Sequence, residues 1–172
     1  MEKKTIGGIS IDLSSEAWRI AVHEAAHAAV LLHYGVEFDR AEILDIPTEV
    51  GEGVTRHGFV MTPDEKYPSN PNQVFDIVAA GPVAEYIFLP GERIVFDHSD
   101  HKRIRSLFGD NFARPDNVDF AAMLRGVTLL VNSLIDNVIA IAAGLYKYAA
   151  LTLSDAMDLI EETNQTLAEA KL

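Results

Sequence analysis

The segment AVHEAAHAAV, residues 21–30, carries two histidines and a glutamate in a run that is otherwise alanine and valine. His23 and His27 are four residues apart, so on an α-helix they lie on one face, one turn above the other. Glu24 is rotated by about 100° from His23 around the same helix. Burying a polar group without a partner costs about 1–3 kcal/mol. Three such groups in an apolar helix therefore indicate that the three side chains belong to one site.

Two imidazoles at this spacing can bind one zinc ion, and a glutamate beside them can reach a water that the ion activates. This is the H-E-x-x-H pattern of zinc peptidases. Neutral imidazoles leave the ion enough positive charge to lower the pKa of a bound water towards ~7. Glu24 would act as the general base, taking the proton of the attacking water and passing it to the leaving amine. The pattern thus predicts a zinc-dependent peptidase.

The third protein ligand of such a site is open at this point. The chain has no cysteine, so the ligand must be a histidine or a carboxylate. His33 would point about 240° away from the second motif histidine on a continuing helix, so we interpret it as a helix-end histidine near the C-terminal dipole. Two candidates remain, Glu85 in GPVAEYIF and Asp100 in FDHSDHKR. Asp100 is flanked by His98 and His101, and residue chemistry favours it slightly.

Composition and charge limit the partners that we expect. A chain of 172 residues, 48% of them hydrophobic, suits a single domain over 1–172 with a core. A net charge of −12 argues against nucleic acid or an anionic membrane surface as the main partner. The sequence has neither a signal-peptide pattern nor the run of about 20 apolar residues that a membrane span needs. We therefore expect no membrane span and a cytoplasmic location.

The elements that must position these residues are mostly helical. We predict a predominantly helical α+β fold, with a zincin-like H-E-x-x-H helix, a small β element and a C-terminal helical bundle. The motif helix is predicted over about 14–34, capped by Ser14 or Ser15 and ended by Gly35.

A small sheet and a second helix should follow the motif helix. Residues 41–46 and 54–62 are predicted to be two short strands around a Gly-rich loop. The second helix is predicted over 73–89, where Gly81 and Pro82 should kink it or split it in two. A third helix is predicted over about 100–108, starting through Ser99. A helical stretch is then predicted over 116–150, with Gly126 and Gly144 as weak points. A last helix, opened by a capping box of Thr152 and Asp155, is predicted to end at about 169.

Several motifs, in this order along the chain, resemble the peptidase domain of FtsH-type ATP-dependent zinc proteases. They are AVHEAAHAAVLLHYG, IVAAGPVAEYIF, HSDHKRIRSLF and LTLSDAMDLI. The corresponding family features are a HEAGH helix, a GGRAAE helix, an SND segment that opens a further helix, and an LTxxE-like start of the last helix. The resemblance covers approximately residues 14–165, with Ala26 in place of a family glycine and Pro82 in place of a family arginine.

The resemblance implies that Asp100 is the third zinc ligand and that Glu85 supports the site from behind or is structural. It also implies that a peptide or unfolded protein substrate pairs as an extended strand with a sheet edge at VTRHGFVM. His57 lies in this segment, and we interpret it as an exposed strand histidine rather than as a residue of the substrate groove. The chain contains no G-x-x-x-x-G-K-[ST] phosphate loop, so we expect an ATP-independent zinc metalloendopeptidase. A homo-oligomer and a separate ATPase partner both stay open.

Two alternatives also stay open. The first is a non-catalytic zinc-binding module with a regulatory or interaction role, although such a site has no need of Glu24 as a base. The second is a gluzincin-like protease that uses Glu85 as its third ligand.

Overall fold

A computed structural model describes residues 3–6, 8–49, 55–89, 91, 93–96, 98–112, 114 and 117–169. At residues 45–49, 55, 56, 64, 98, 99 and 167–169 the description covers the backbone alone. The described helices are α1 (Glu16–His33), α2 (Pro71–Phe88), α3 (His98–Phe108), α4 (Val118–Ser133), α5 (Ile135–Tyr148) and α6 (Leu153–Glu169). The described strands are β1 (Lys3–Ile6), β2 (Ile9–Asp12), β3 (Arg40–Glu49), β4 (Thr55–Met61) and β5 (Ala150–Thr152). The fold is therefore a predominantly helical α+β fold with small antiparallel sheets, as predicted.

Helix α1 is the central element of the core. Ser15 caps it, since its Oγ accepts a hydrogen bond from the Trp18 N–H at 3.2 Å. Gly35 follows the last turn with φ +69°, a left-handed conformation that favours glycine. Both predicted ends of the motif helix are thus confirmed. The helix packs against α2 on one side and α5 on another, and it also contacts β3 and β4.

Helix α2 is one uninterrupted helix, so of the predicted kink or split at Gly81 and Pro82 the split is wrong. It also starts earlier than predicted, because Asn70 caps it and Pro71 occupies the first turn, where proline loses no hydrogen bond. A proline inside a helix costs about 3 kcal/mol. Pro82 is buried, and the packing of α2 against α1 and α4 offsets this cost.

The main sheet has the strand order β4-β3-β5, and both pairs are antiparallel. The predicted strands correspond to β3 and β4, but β3 continues to Glu49, into the predicted loop. Residues 50–54 lie outside the described residues. Ile43 pairs with Gly58, and the register shifts between Ile43 and Thr48. Strand β4 lies at one edge of this sheet.

Three strands were not predicted from the sequence: β5 and the two strands of the β1–β2 hairpin. Strand β5 is only three residues long and follows Ala149, which has φ 63°. The β1–β2 hairpin had a signal in the Gly7-Gly8 pair between two short alternating runs, because such a pair is typical of tight hairpin turns.

The predicted helical stretch 116–150 is two helices, and the break lies at Leu134 rather than at a glycine. Near the end of α4 the side chains of Thr128, Asn132 and Ser133 donate hydrogen bonds to carbonyls within the helix. Such bonds compete with the main-chain ladder and favour a helix end. Gly144 instead lies where an added Cβ would collide with Leu159 of α6, so it permits close packing.

The last helix starts as predicted. The Thr152 N–H donates to Asp155 Oδ2 at 2.8 Å, and the Asp155 N–H donates to Thr152 Oγ1 at 3.3 Å. This reciprocal pair is the predicted capping box. Helix α3 starts at His98, so Ser99 lies within its first turn rather than before it.

In the described part of the chain, no single helix has the length and apolar character needed to cross a membrane. Helices α4 and α5 together reach that length and composition, but they are bent by 73° at the break between them.

A polar contact ties the C-terminal end of α1 to α2. The Tyr34 hydroxyl donates to Asp76 Oδ2 at 2.5 Å. Burial raises the pKa of Asp76, and this effect exceeds the lowering by the Tyr34 hydrogen bond and by the charge of His33. The native protein therefore holds a proton on Asp76 to a higher pH than the unfolded chain does.

We predict that Asp76→Asn becomes more stable relative to the wild type as the pH rises from acid to neutral. Between the ordinary and the raised pKa the native state binds more protons than the unfolded state, so the free energy of unfolding of the wild type falls there. Asparagine removes this decrease and still accepts the Tyr34 hydrogen bond. Urea denaturation at a series of pH values measures the difference.

Asp155→Asn is the control with the opposite sign. The hydrogen bonds from Thr152 lower the pKa of Asp155, so its stabilising effect is present at neutral pH and is lost as the pH falls. A parallel pH dependence of the two variants would contradict the role that we assign to burial of Asp76.

Candidate metal centre

The candidate centre lies between two helices that face each other with the same four-residue spacing. We call Arg19, His23 and His27 the α1 stripe, and Ile77, Gly81 and Glu85 the α2 stripe. The two stripes are antiparallel: Arg19, the first residue of the α1 stripe, contacts Glu85, the last residue of the α2 stripe, whereas His27 contacts Ile77. Residues four apart lie on one helical face, so each stripe presents one continuous row to the other helix.

Both imidazoles of the α1 stripe are fixed through Nδ1. The His23 Nδ1–H donates to Glu85 Oε1 at 2.6 Å, and the His27 Nδ1–H donates to the Ile77 carbonyl at 2.6 Å. Because a carbonyl or a carboxylate can only accept, the proton of each neutral ring lies on Nδ1. The Nε2 lone pairs are then directed to the opposite side, as in histidines that ligate metals.

Gly81 leaves open the space that the two Nε2 atoms share. A Cβ built on Gly81 would lie 2.5 Å from His23 Nε2 and 2.6 Å from His27 Nε2. Zn–N bonds are about 2.0–2.1 Å long, so an ion bound by both rings needs much of this space. Any residue larger than glycine at this position would fill it with a side chain.

Asp100 completes the group from a third helix. One ligand atom each of His23, His27 and Asp100 lie within 4.8 Å of one another, and this is a group among the described residues that could hold a metal ion. Helix α3 carries Asp100 and Ile104 one turn apart, and Ile104 is fully buried. At the next turn Phe108 packs edge to face on Phe75 of α2, with ring centroids 5.9 Å apart. This apolar contact fixes α3 against α2 with Asp100 directed at the histidines.

Glu24 lies beside this group and not within it. Its side chain is only 7% exposed. Among the residues whose side chains are described, Glu24 is the charged residue that is buried. A Cβ built on Gly58 of β4 would lie 2.7 Å from Glu24 Cγ and 2.8 Å from Glu24 Oε1. The carboxylate therefore lies against the backbone of the edge strand, which can approach so closely because residue 58 has no side chain.

Charge interactions and burial act in opposite directions on His23 and Glu85. Burial lowers the pKa of His23, but the hydrogen bond to Glu85 and the negative charges of Glu24, Glu85 and Asp100 outweigh it, so the pKa is raised. Burial raises the pKa of Glu85, but His23 and Arg19 lower it more, so the pKa is below its ordinary value. Glu85 is thus kept as a carboxylate that accepts the His23 proton.

The other residues singled out in the sequence lie outside this group. Glu85 contacts the Nδ1 side of His23 rather than the Nε2 side. His33 is an exposed residue at the end of α1, and His57 is half-buried on β4. His101 stacks on Phe96 with ring centroids 6.3 Å apart. The side chain of His98 lies outside the described part of the structure.

Sequence reasoning missed three contributors to the site. Arg19 was not considered, although it lies one turn before His23 on the same face. Gly81 was interpreted only as a weak point of its helix. The Ile77 carbonyl has no side-chain signal, but its position two turns before Glu85 continues the spacing of four.

No protein-family model matches the chain, and no curated protein matches it. The resemblance to FtsH-type peptidases therefore stays a prediction from motifs, and any function must be supported by the geometry of the site.

We predict that Gly81→Ala weakens zinc binding by at least about 100-fold, the upper end of the effects seen when residues behind metal ligands are changed. The added methyl group would lie between the two Nε2 atoms, where it displaces the rings or the ion. Isothermal titration with zinc, or competition with a chromophoric chelator, measures the affinity.

Gly126→Ala on α4 is the matched control, since a Cβ there would meet no heavy atom within 4 Å. It should leave zinc affinity unchanged and stabilise the helix by about 1 kcal/mol. Unchanged zinc affinity in a folded Gly81→Ala variant would contradict the proposed location of the ion.

Proposed function

We propose that this protein is a zinc-dependent peptidase in which His23, His27 and Asp100 hold the ion and Glu24 is the general base. The observation that carries the proposal is the convergence of two imidazole Nε2 atoms and one carboxylate on a space that a glycine keeps open. Hydrogen bonds that fix both rings through Nδ1 support it further.

The donor set favours zinc over magnesium and calcium. Two imidazoles and one carboxylate are typical of catalytic zinc sites, which keep a further position for water or substrate. Magnesium and calcium prefer oxygen ligands alone. A zinc ion held there would lower the pKa of a water molecule and polarise the carbonyl group of a peptide bond.

Glu24 supplies the proton transfer that peptide hydrolysis needs. Its position one residue after His23 turns it away from the α1 stripe, so that it faces β4 and would lie beside an ion held by the two imidazoles. From there the carboxylate takes the proton of the attacking water and passes it to the amine of the leaving peptide. A metal site with a purely structural role would need no carboxylate at this position.

The edge strand β4 supports a peptide as the substrate. Among the described strands it pairs with β3 alone, and it lies against Glu24 at Gly58. An extended peptide can add to such an edge through main-chain hydrogen bonds, which requires an unfolded or flexible segment. Pairing with β4 would bring the scissile bond next to Glu24, as the resemblance to FtsH-type peptidases also implies.

Asp100 is preferred over Glu85 as the third ligand because of what Glu85 already binds. One Glu85 oxygen accepts the His23 proton and the other accepts from Arg19. A carboxylate engaged in this way supports a ligand from behind and does not bind the ion itself.

We predict that Asp100→Ala loses zinc, with affinity lowered by about 100-fold or more, whereas Glu85→Ala lowers it by about 10- to 100-fold. The first change removes a ligand, and the second removes the partner of a ligand. Zinc content after dialysis and the dissociation constant for zinc distinguish the two. Retention of zinc by Asp100→Ala together with its loss from Glu85→Ala would favour the gluzincin-like alternative.

We predict that Glu24→Gln hydrolyses an unstructured peptide about 100- to 10,000-fold more slowly than the wild type while it binds zinc normally. Glutamine keeps the shape of the side chain but cannot take the proton. A discontinuous assay by mass spectrometry, with zinc content determined on the same sample, measures both. Equal rates would contradict the role of Glu24 as the general base, and no hydrolysis by a zinc-loaded wild type across a diverse peptide library would favour the non-catalytic module.

A further inference from the structure

We propose that Arg19 is a positioning residue, which acts through Glu85 to hold the His23 imidazole in the orientation and tautomer that a metal ligand needs. This inference rests on the proposed function, because it assigns Arg19 to the same metal centre. Arg19 lies one turn before His23 on α1 and is 36% exposed at its side chain.

The two oxygens of Glu85 have different partners. Arg19 Nη1 donates to Oε2 at 2.9 Å, and His23 Nδ1 donates to Oε1 at 2.6 Å. Rotation of the carboxylate about its last bond would break both hydrogen bonds at once. Because Glu85 is only 15% exposed, water can replace the lost partners poorly. Arg19 therefore fixes the plane of the carboxylate, and the carboxylate fixes the plane of the imidazole.

Arg19 is itself held by a third group. Its Nε donates to Glu16 Oε2 at 2.9 Å, and Nη2 forms an ion pair with the other Glu16 oxygen. Glu16 lies three residues earlier on the same helix, so the guanidinium is bound on both sides before it contacts Glu85. A planar guanidinium with donors in a fixed fork suits this double role, whereas the single ammonium of lysine can fill only part of it.

A purely structural role is the competing interpretation. Exposed ion pairs such as that between Arg19 and Glu16 contribute little to stability, about 0–1 kcal/mol. A role limited to stability would change the free energy of unfolding and leave the properties of the His23 ring as they are. A positioning role changes the ring, and it does so only while Glu85 is present.

The first experiment is a double-mutant cycle on zinc affinity. We expect Arg19→Met to raise the dissociation constant for zinc by about 10-fold, the lower end of the effects of outer partners. In a Glu85→Ala background the same change should have an effect within about 2-fold, because the group through which Arg19 acts is gone. Arg19→Lys should recover part of the affinity, and Glu16→Gln should stay within about 2-fold of the wild type.

The second experiment uses the metal-free protein. Nitrogen-15 NMR of the imidazoles, at a pH where His23 is neutral, should show the Nδ1–H tautomer alone in the wild type and a mixture of tautomers in Arg19→Met. Arg19→Lys, which keeps a cationic donor, should show less of the second tautomer than Arg19→Met. It also serves as the test if Arg19→Met does not fold.

The outcomes separate this inference from the proposed function. A wild type that binds no zinc would refute the zinc peptidase, while the tautomer measurement would still decide the role of Arg19. An equal loss of affinity with and without Glu85, or an unchanged tautomer in the Arg19 variants, would overturn the inference. In that case Arg19 would have only a structural role, through its ion pairs with Glu16 and Glu85.

Discussion

The register between α1 and α2 is the constraint on which the candidate centre depends. A shift of one residue along either helix would rotate the facing side chains by about 100° and separate every pair of partners. In the register observed, His23 meets Glu85, His27 meets Ile77, and Gly81 lies between the two rings. Rows of residues four apart also turn slowly around a helix, by about 40° per step, so they can face each other for only about two turns. The site occupies that length and no more.

Small side chains make this register possible. Ala26 lies three residues after His23 on α1, Ala84 lies three residues after Gly81 on α2, and both are completely buried. Two helices lined in this way can bring their backbones close together, because packing is limited by side-chain volume. At Gly81 the missing side chain then leaves space beside both imidazoles of α1. Ala26, which in the sequence looks merely apolar, is thus part of what shapes the centre.

Sequence patterns predicted the local features of this arrangement and missed the long-range ones. The caps of α1 and α6 depend on residues three or four apart, so Ser15 and Thr152 could be identified directly. The motif likewise placed His23, Glu24 and His27 on their faces. Gly81 was misread as a point of weakness, because its function depends on a helix fifty residues away. Asp100 could be proposed from chemistry and resemblance, but its approach to the histidines depends on the aromatic packing of α3.

The charge balance of the centre connects these features to a metal ion. Glu24, Glu85 and Asp100 all act on His23 with negative charge, and Arg19 contributes one positive charge through Glu85. Glu16 pairs with the same Arg19, so four carboxylates and one guanidinium leave a net charge of −3 around two imidazoles. Like charges confined in a partly buried site repel one another and raise the free energy of the fold. A divalent cation bound by the imidazoles would balance most of that charge. The same carboxylates that destabilise the metal-free fold would therefore raise the affinity for zinc. By the same balance, Arg19 limits the excess of negative charge without reaching the space that the ion would take.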